Sequence, residues 1–445
     1  MKKILIPMIE AGGGHKMPAL AIKRAIEELY PGQFQIDVID FAKECGAIWN
    51  DKLMKGFWDY ALDHPELTTN LNTLLDALNH FTRSNTLMRL LFQQFIRKGT
   101  SYIYNYKPDI VFSTHFFCSS AALFAREKYN FSYKIYSYMT DPVRGHNMWI
   151  NNRIEAVIAA TEEAKEYLLK QGQSKKSVKV MPFPLNKKFF EPISKSKREI
   201  LEELGLNPDV KTVLATSGGQ GIGETKDYIK YIYTNKLPFN IIAICGKNKE
   251  LVEELETFKK TVSSPVKLAV LGFVDNMQEL LYASDLAIAK AGASTSLEVL
   301  VKNVPTIFTH CAALHEKGNI DFHVDNQMGW FAKNQKEFKV IIDKIITTDI
   351  LEQYKANIQK NPYVAQLPEA SNRLAKFIVE EIDRPFKKRR PTRKVYMRSI
   401  VFGVRLNIHR IRSRTEKYRL IRRGADPAKR RSLEPRRGRD KRKNP

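Results

Sequence analysis

The sequence predicts an α/β protein built on two Rossmann-like, doubly wound parallel sheets. Three observations lead there. A unit of apolar strand, glycine-rich turn and helically spaced segment occurs twice, as KKILIPMIEAGGGHKMPALAIKRAIEEL at the start and KTVLATSGGQGIGETKDYIKYIY from Lys211. Strand-like runs then alternate with helical stretches behind each copy, as βαβ units require. The length of 445 residues, 43% of them apolar, suits two domains with sizeable cores better than one small module.

Taken in order, ILIPM follows two lysines but is too short for a signal-peptide core and leads into glycines, so it is expected to be the first strand. QIDVIDF, DIVFST, KIYSYMT and AVIAAT supply further strands of the first half. The stretch from Ala42 to Lys107 does not alternate in this way. Its Leu71, Leu74, Leu75, Leu78 and Phe81 have helical spacing, which reads as helices packed on the first domain or as an apolar surface for a greasy acceptor. MPFPLNKKFFEPISKSKRE, with three prolines and a charge cluster, reads as a linker. The expected domains are therefore 1–190, facing an acceptor and a membrane, and 191–383, with strands FNIIAICG, VKLAVLG, LAIAKAG and VPTIFTH.

The net charge of +25 is concentrated at one end: residues 384–445 carry 25 Lys and Arg against 4 Asp and Glu, leaving +4 for the rest. Met397, Ile400, Val401, Val404, Ile408 and Ile411 recur there at helical spacing, with Arg398, Arg405 and Arg412 every seven residues. That pattern suits a basic amphipathic helix on an anionic membrane surface, followed by a disordered end. A nucleic-acid partner is the weaker reading, since four aromatics, Phe386, Tyr396, Phe402 and Tyr418, do not suggest base stacking. No run approaches the eighteen or so apolar residues of a membrane span. Cys45, Cys118, Cys245 and Cys311 lie far apart without CxxC spacing, which fits buried thiols in a reducing compartment.

Each glycine loop offers bare backbone N–H groups and a helix start to an anion. Neither has a standard nucleotide spacing. AGGGHK lacks the GxxxxGK[ST] of a P-loop, and SGGQGIG is not a clean GxGxxG and has no ribose carboxylate about twenty residues on. Either could be a tight turn alone. His15, where the first helix begins, reads as a capping ring or as a base with a near-neutral pKa. Thr295 and Glu298 have capping-box spacing, and Glu298 could instead accept hydrogen bonds from a ribose diol.

Six segments in order then resemble one glycosyltransferase family. They are GGGH at 12–15, TDPVRGHNMW at 140–149, SGGQGIG at 217–223, GFVDNM at 272–277, KAGASTSLE at 290–298 and HEKGN at 315–319. The family contains monogalactosyldiacylglycerol synthases, processive diacylglycerol glucosyltransferases and, more distantly, the UDP-N-acetylglucosamine transferase that makes lipid II. The resemblance covers roughly residues 1–380. It implies the GT-B arrangement, two Rossmann-like domains facing across a cleft, with a UDP-sugar as donor and an acceptor such as diacylglycerol.

By that resemblance Ser217, Gly218, Gly219 and Gly223 line the diphosphate, Phe273 and Val274 meet the uracil, and Gly292, Ser294 and Thr295 offer phosphate-side donors. Glu298 holds the ribose, while Glu316 and Asn319 approach the sugar. Gly13, Gly14, His146 and Trp149 shape the acceptor side. His15 is the first candidate for the base and Asp141 the second. Inverting transfer then yields a β-glycoside with no obligatory metal, the diphosphate being met by helix N-termini, at the cytoplasmic face of a membrane. Two positions depart from the pattern: Ala291 stands where proline is usual, and His315 where a sugar-reading glutamine is expected. A UDP-N-acetylglucosamine transferase acting on a polyprenyl-linked acceptor, or a non-catalytic nucleotide-sugar or nucleic-acid binding protein, are the alternatives.

Overall fold

All pairings in the two sheets are parallel. The computed structural model describes residues 1–10, 13–63, 92–216, 218, 225–311 and 314–386, with side chains at 57–63, 314 and 315 excepted. The first sheet contains β1 (Lys2–Met8), β2 (Phe34–Asp40), β3 (Ile110–Ser113), β4 (Lys134–Tyr138), β5 (Ala156–Ala159) and β6 (Val178–Val180) in the order β2-β1-β3-β4-β5-β6. The second contains β7 (Thr212–Thr216), β8 (Asn240–Ile244), β9 (Leu268–Leu271), β10 (Leu286–Lys290), β11 (Thr306–His310) and β12 (Gly329–Phe331) in the order β12-β11-β10-β7-β8-β9. Ten of these strands correspond to the apolar runs of the sequence. The edge strands β6 and β12 do not, because VKV and GWF are three residues each and too short to carry a period.

The interior strands β3, β4, β5, β7 and β8 are buried at every residue, as parallel strands covered by helices on both faces must be. The covering helices in the first half are α1 (Gly13–Leu29), α2 (Phe41–Glu44), α3 (Ile48–Asp63), α4 (Gln93–Tyr106), α5 (Phe116–Tyr129) and α6 (Glu162–Lys170). In the second they are α7 (Lys197–Glu203), α8 (Thr225–Thr234), α9 (Lys249–Thr261), α10 (Met277–Tyr282), α11 (Ala293–Val301), α12 (Leu314–Asp325), α13 (Gln335–Thr347), α14 (Ile350–Lys360) and α15 (Ala370–Asp383). α1 illustrates the local rule: Ala19, Ile22, Ala25 and Ile26 recur at helical spacing and form its buried face. The helices expected at Leu71–Phe81 and in the basic tail lie outside the described residues.

Strand order places the functional edges. In the first sheet the winding reverses between β1 and β3, and in the second between β7 and β10. Crevices open beyond the carboxyl ends of strands at such reversals, and ligands of doubly wound sheets bind there. At these ends GGGH follows β1, Ser113-Thr114-His115 ends β3, the SGG segment follows β7 and Lys290-Ala291-Gly292 ends β10.

One apolar cluster joins the halves, combining Ile22 and Ile26 of α1 with Leu297 and Leu300 of α11 and Leu374 and Ile378 of α15. The last helix thus returns to the first sheet, although it follows the second in sequence. It is tied there by a buried polar contact: Tyr136 Oη donates to Glu381 Oε2 at 2.5 Å, and Lys134 Nζ lies 3.6 Å from the same carboxylate oxygen. Lys2 pairs with Asp383. Lys2 and Lys134 open their strands, so the chain leaves α15 at the amino edge of the first sheet, opposite the His15 edge. Tyr136→Phe deletes a hydrogen bond to a buried carboxylate and is expected to cost about 1.5 kcal/mol in urea unfolding, with an unchanged m-value.

Candidate functional site

His15 stands in the first turn of α1, and its ring reaches across to the β3 and β4 loops. Its Nδ1 lies 2.7 Å from the Thr114 carbonyl oxygen and 2.8 Å from Thr140 Oγ1. Thr114 Oγ1 donates back to the His15 carbonyl at 2.9 Å. A carbonyl oxygen can only accept, so in the neutral ring Nδ1 carries the proton and Nε2 the lone pair. This tautomer is the one a general base needs.

Around it lies a wall of rings that the sequence only partly announced. The His115 ring centroid is 4.5 Å from that of His15. His115 caps α5, its Nδ1 accepting from Phe117 N at 3.2 Å. Burial first, then the neighbouring His15 and His146, push its pKa well below the ordinary histidine value, so this ring stays neutral beside His15. Phe116 packs edge-on to both His146 and Trp149, with centroids 4.6 and 5.3 Å apart. His115, Thr114 and Thr140 were missed as site residues; the signal for the first two was the apolar run DIVF leading straight into Ser-Thr-His, and Thr140 opens the TDPVRGHNMW element.

Asp141 sits behind this wall. Its Oδ2 accepts from Trp149 Nε1 at 2.8 Å and lies 3.9 Å from His146 Nε2. The three residues of the TDPVRGHNMW element therefore form one linked group, with Trp149 1% exposed. Gly13 and Gly14 open α1 with room around both: a Cβ at Gly13 would meet only Met17 Cγ at 3.8 Å and one at Gly14 nothing within 4 Å. Nearby, the bond from Lys16, with smaller help from the charges of Lys55 and Lys247, holds the Glu10 carboxyl below its usual value. Lys55 belongs to α3 and Lys247 follows β8, so cations from both halves act at this edge.

The facing edge is built at the β7/β10 reversal. Gly218 has φ +77 and a Cβ there would lie 3.4 Å from Lys290 Cε, so glycine lets the loop after β7 fold beside Lys290. Lys290, also missed from sequence, ends β10 with its Nζ 3.9 Å from Glu316 Oε1. Gly292 is the N-cap of α11 and supplies no side-chain cap. Ser294 Oγ in the next turn is buried with no hydrogen-bond partner. Asn319 Nδ2 donates to the Ala291 carbonyl at 2.9 Å and fastens α12 to this loop. Thr295 and Val274 are partly buried, and Phe273 is 65% exposed with Lys247 Nζ 6.0 Å from its ring centroid.

Glu298 is not part of a capping box, because the cap residue is Gly292 rather than Thr295. Burial instead pushes its carboxyl up to about 7. Ser217, Gly219 and Gly223, and the His315 side chain, lie outside the described residues.

The two edges touch through one glycine. A Cβ at Gly318 of α12 would fall 2.7 Å from Arg144 Cβ and 3.1 Å from the Arg144 backbone nitrogen. The loop carrying Asp141 and His146 is thus seated on the helix carrying Glu316 and Asn319. Gly318→Ala must push that backbone away, with an expected loss of about 2 kcal/mol in thermal unfolding.

Comparison with known proteins places this arrangement. Residues 15–185 match the family model for monogalactosyldiacylglycerol (MGDG) synthase, and residues 212–309 match the glycosyltransferase family 28 C-terminal domain. The chain is related to the family 28 glycosyltransferases. A probable chloroplastic MGDG synthase of Glycine max is 28% identical over 354 residues, covering 77% of this chain. MGDG synthase 2 of Arabidopsis thaliana is 27% identical over 401 residues, covering 88% of this chain and 82% of its own length. The chain spans 64% of the length of the soybean relative.

The fold is likewise that of family 28 and its GT-B neighbours. Acinetobacter baumannii MurG superposes with a TM-score of 0.55 at 16% identity over 85% of this chain and 100% of its own. Anabaena Alr3699/HepE, in complex with UDP-glucose, gives 0.51 at 13% identity over 86% of this chain and 100% of its own. The two family-model matches divide as the two sheets do. The synthase match begins at His15, and the C-terminal match runs from β7 into β11.

Proposed function

We propose that this protein is an inverting glycosyltransferase that moves a hexose from a UDP-sugar to the hydroxyl of diacylglycerol or a related lipid. The observation that carries the reading is His15, held by the Thr114 carbonyl so that Nε2 is basic on the edge that faces the Gly218, Lys290 and Gly292 loops. The relatives named as MGDG synthases support the lipid acceptor.

In this reading the uracil rests against Phe273 and Val274, and Glu298 accepts the ribose hydroxyls. The diphosphate lies over Gly218, Gly219, Gly223 and the first turn of α11, where Ser294 Oγ, Thr295 and the backbone N–H groups donate to it. Ser217 and Lys290 add a hydroxyl and a cation. Glu316 and Asn319 approach the sugar. His15 Nε2 takes the acceptor proton as the acceptor oxygen bonds to the anomeric carbon, and the bond to UDP breaks on the opposite face, giving a β-glycoside. Donors already in place stabilise the charge growing on UDP. Asp141 orients His146 and Trp149 on the acceptor side, with Gly13 and Gly14 leaving room for the head group.

The test is direct. Purified protein is given a panel of UDP-sugars and diacylglycerol in mixed micelles, and the lipid extract is weighed by mass spectrometry. A hexose added to the lipid is the expected result; UDP-sugar binding with no glycosylated lipid of any kind would refute the transfer to this acceptor class.

A further inference from the structure

Over its described side chains, 48–56, the helix α3 turns large apolar residues outward as well as packing Met54 on the core. Ile48, Trp49 and Leu53 are 59%, 79% and 58% exposed, and with Lys52 and Gly56 they make up its exposed positions among residues 48–56. Spaced i, i+1, i+4, i+5 and i+8, these positions form one continuous outward stripe. The inner side holds the polar group: Asn50 is 7% exposed and its Oδ1 accepts from Phe95 N at 2.9 Å.

Charge is arranged to suit that stripe. Asp40 and Asp51 are turned away from it and neutralised, since Lys55 Nζ sits 2.7 Å from Asp40 Oδ2 and 2.8 Å from Asp51 Oδ1. The single charge left on the described outward stripe is Lys52, a cation that can extend its head beyond an apolar surface. An exposed tryptophan flanked by Ile and Leu, with a lysine and no carboxylate, matches the chemistry of a bilayer interface.

Position gives the stripe a use. α3 follows the carboxyl end of β2, and its Lys55 is bonded to Asp40, the last residue of that strand. Because all strands of this sheet are parallel, that is the edge on which His15 stands. α15, by contrast, ends at the opposite edge, where Lys2 and Lys134 hold it.

We propose that Ile48, Trp49 and Leu53 of α3 form a lipid-docking face that rests in the bilayer interface and turns the His15 edge toward it. This rests on the lipid-acceptor reading above for its purpose, but docking itself is measured without turnover. The tail can then bring the chain to an anionic membrane, while α3 sets which edge faces the lipid.

The experiment uses the full chain and uncharged phosphatidylcholine vesicles at about 1 M salt, where charge interactions are screened within roughly 3 Å and the tail contributes little. The double variant Trp49→Ser/Leu53→Ser is compared with Val340→Ser/Ile346→Ser, which removes two other exposed apolar side chains, on α13. Vesicle partitioning of the α3 variant is expected to fall at least tenfold, on the order of what two large apolar side chains contribute, with the α13 variant unchanged. Circular dichroism melting checks that both remain folded. Equal partitioning of the α3 variant and wild type, or an equal loss in both variants, would overturn the proposal. So would a change in sedimentation without a change in partitioning, which would assign the face to a second copy of the chain.

Turnover supplies the separate reading. The α3 variant should glycosylate a water-soluble short-chain diacylglycerol at the wild-type rate and vesicle-borne diacylglycerol more slowly. If no acceptor is glycosylated by either protein while the partitioning difference persists, the docking face stands and the transfer reaction falls.

Discussion

His15→Ala is expected to lower kcat by roughly 10²–10⁴-fold, the usual contribution of a positioned general base, while UDP affinity stays within about twofold of wild type. The separation of effects is the informative part. His15 stands on the β1 edge and the UDP-binding groups on the β7/β10 edge, so removing its ring takes away the proton acceptor without touching the nucleotide. Steady-state kinetics with diacylglycerol in mixed micelles and calorimetric UDP titration measure the two quantities. A companion variant, Thr140→Val, removes one of the two oxygens near Nδ1 and keeps the Thr114 carbonyl, so a smaller loss in kcat is expected. A near-normal kcat for His15→Ala would transfer the role to Asp141, whose Oδ2 already accepts from the Trp149 indole.

The second large effect concerns Glu298. Its carboxyl is pushed up to about 7 by burial, so in the unliganded protein the ionised form is disfavoured. A raised folded-state value means that Glu298 contributes stability that is fully present below its ordinary pKa of 4.5 and is lost as the pH rises through about 7. The full loss is roughly 3 kcal/mol by linkage. Chemical denaturation across this window should show the wild type losing stability relative to Glu298→Gln.

Ribose hydroxyls can donate only to acceptors, and they favour the carboxylate. UDP affinity is therefore expected to rise with pH through the same window in the wild type. Because the terminal phosphate of UDP also titrates, Glu298→Gln supplies the baseline, with a shallower slope. At pH about 8 the variant should bind UDP about 10- to 100-fold more weakly, the range for losing one or two hydrogen bonds to a charged acceptor. Parallel pH profiles for the two proteins would remove Glu298 from the ribose site.

Much of the site was legible because its chemistry is written in local spacing. A strand ending in glycines and opening a helix could be recognised at GGGH and at SGGQGIG from residue types alone, while HEKGN lies in the first turns of α12 and KAGASTSLE runs from the end of β10 into α11. The residues whose role spacing does not give are brought together from distant parts of the chain. Thr114, Thr140 and His115 matter because β1, β3 and β4 are neighbours in the sheet, although Thr114 lies 99 positions after His15 and Thr140 lies 125 after it. Lys290 belongs to KAGASTSLE, but spacing gives it no role; the close approach of Gly218 to its stem does. Glu298 had two readings at the level of spacing, and the capping one fell because the chain bends at Gly292 rather than at Thr295.

From sequence alone came the two doubly wound halves, ten of the strands and the concentration of positive charge in one terminal segment, all consequences of interactions between residues near one another in the chain. The tertiary structure decided three things that local order does not contain. α15 returns to the first sheet because Glu381 meets Tyr136 and Lys134 there. The two edges meet at Gly318 because no side chain fits against the Arg144 backbone. The stripe of Ile48, Trp49 and Leu53 faces outward because Asn50 is spent inward on Phe95, a choice of face that apolar spacing, which reads the same from either side of a helix, does not make.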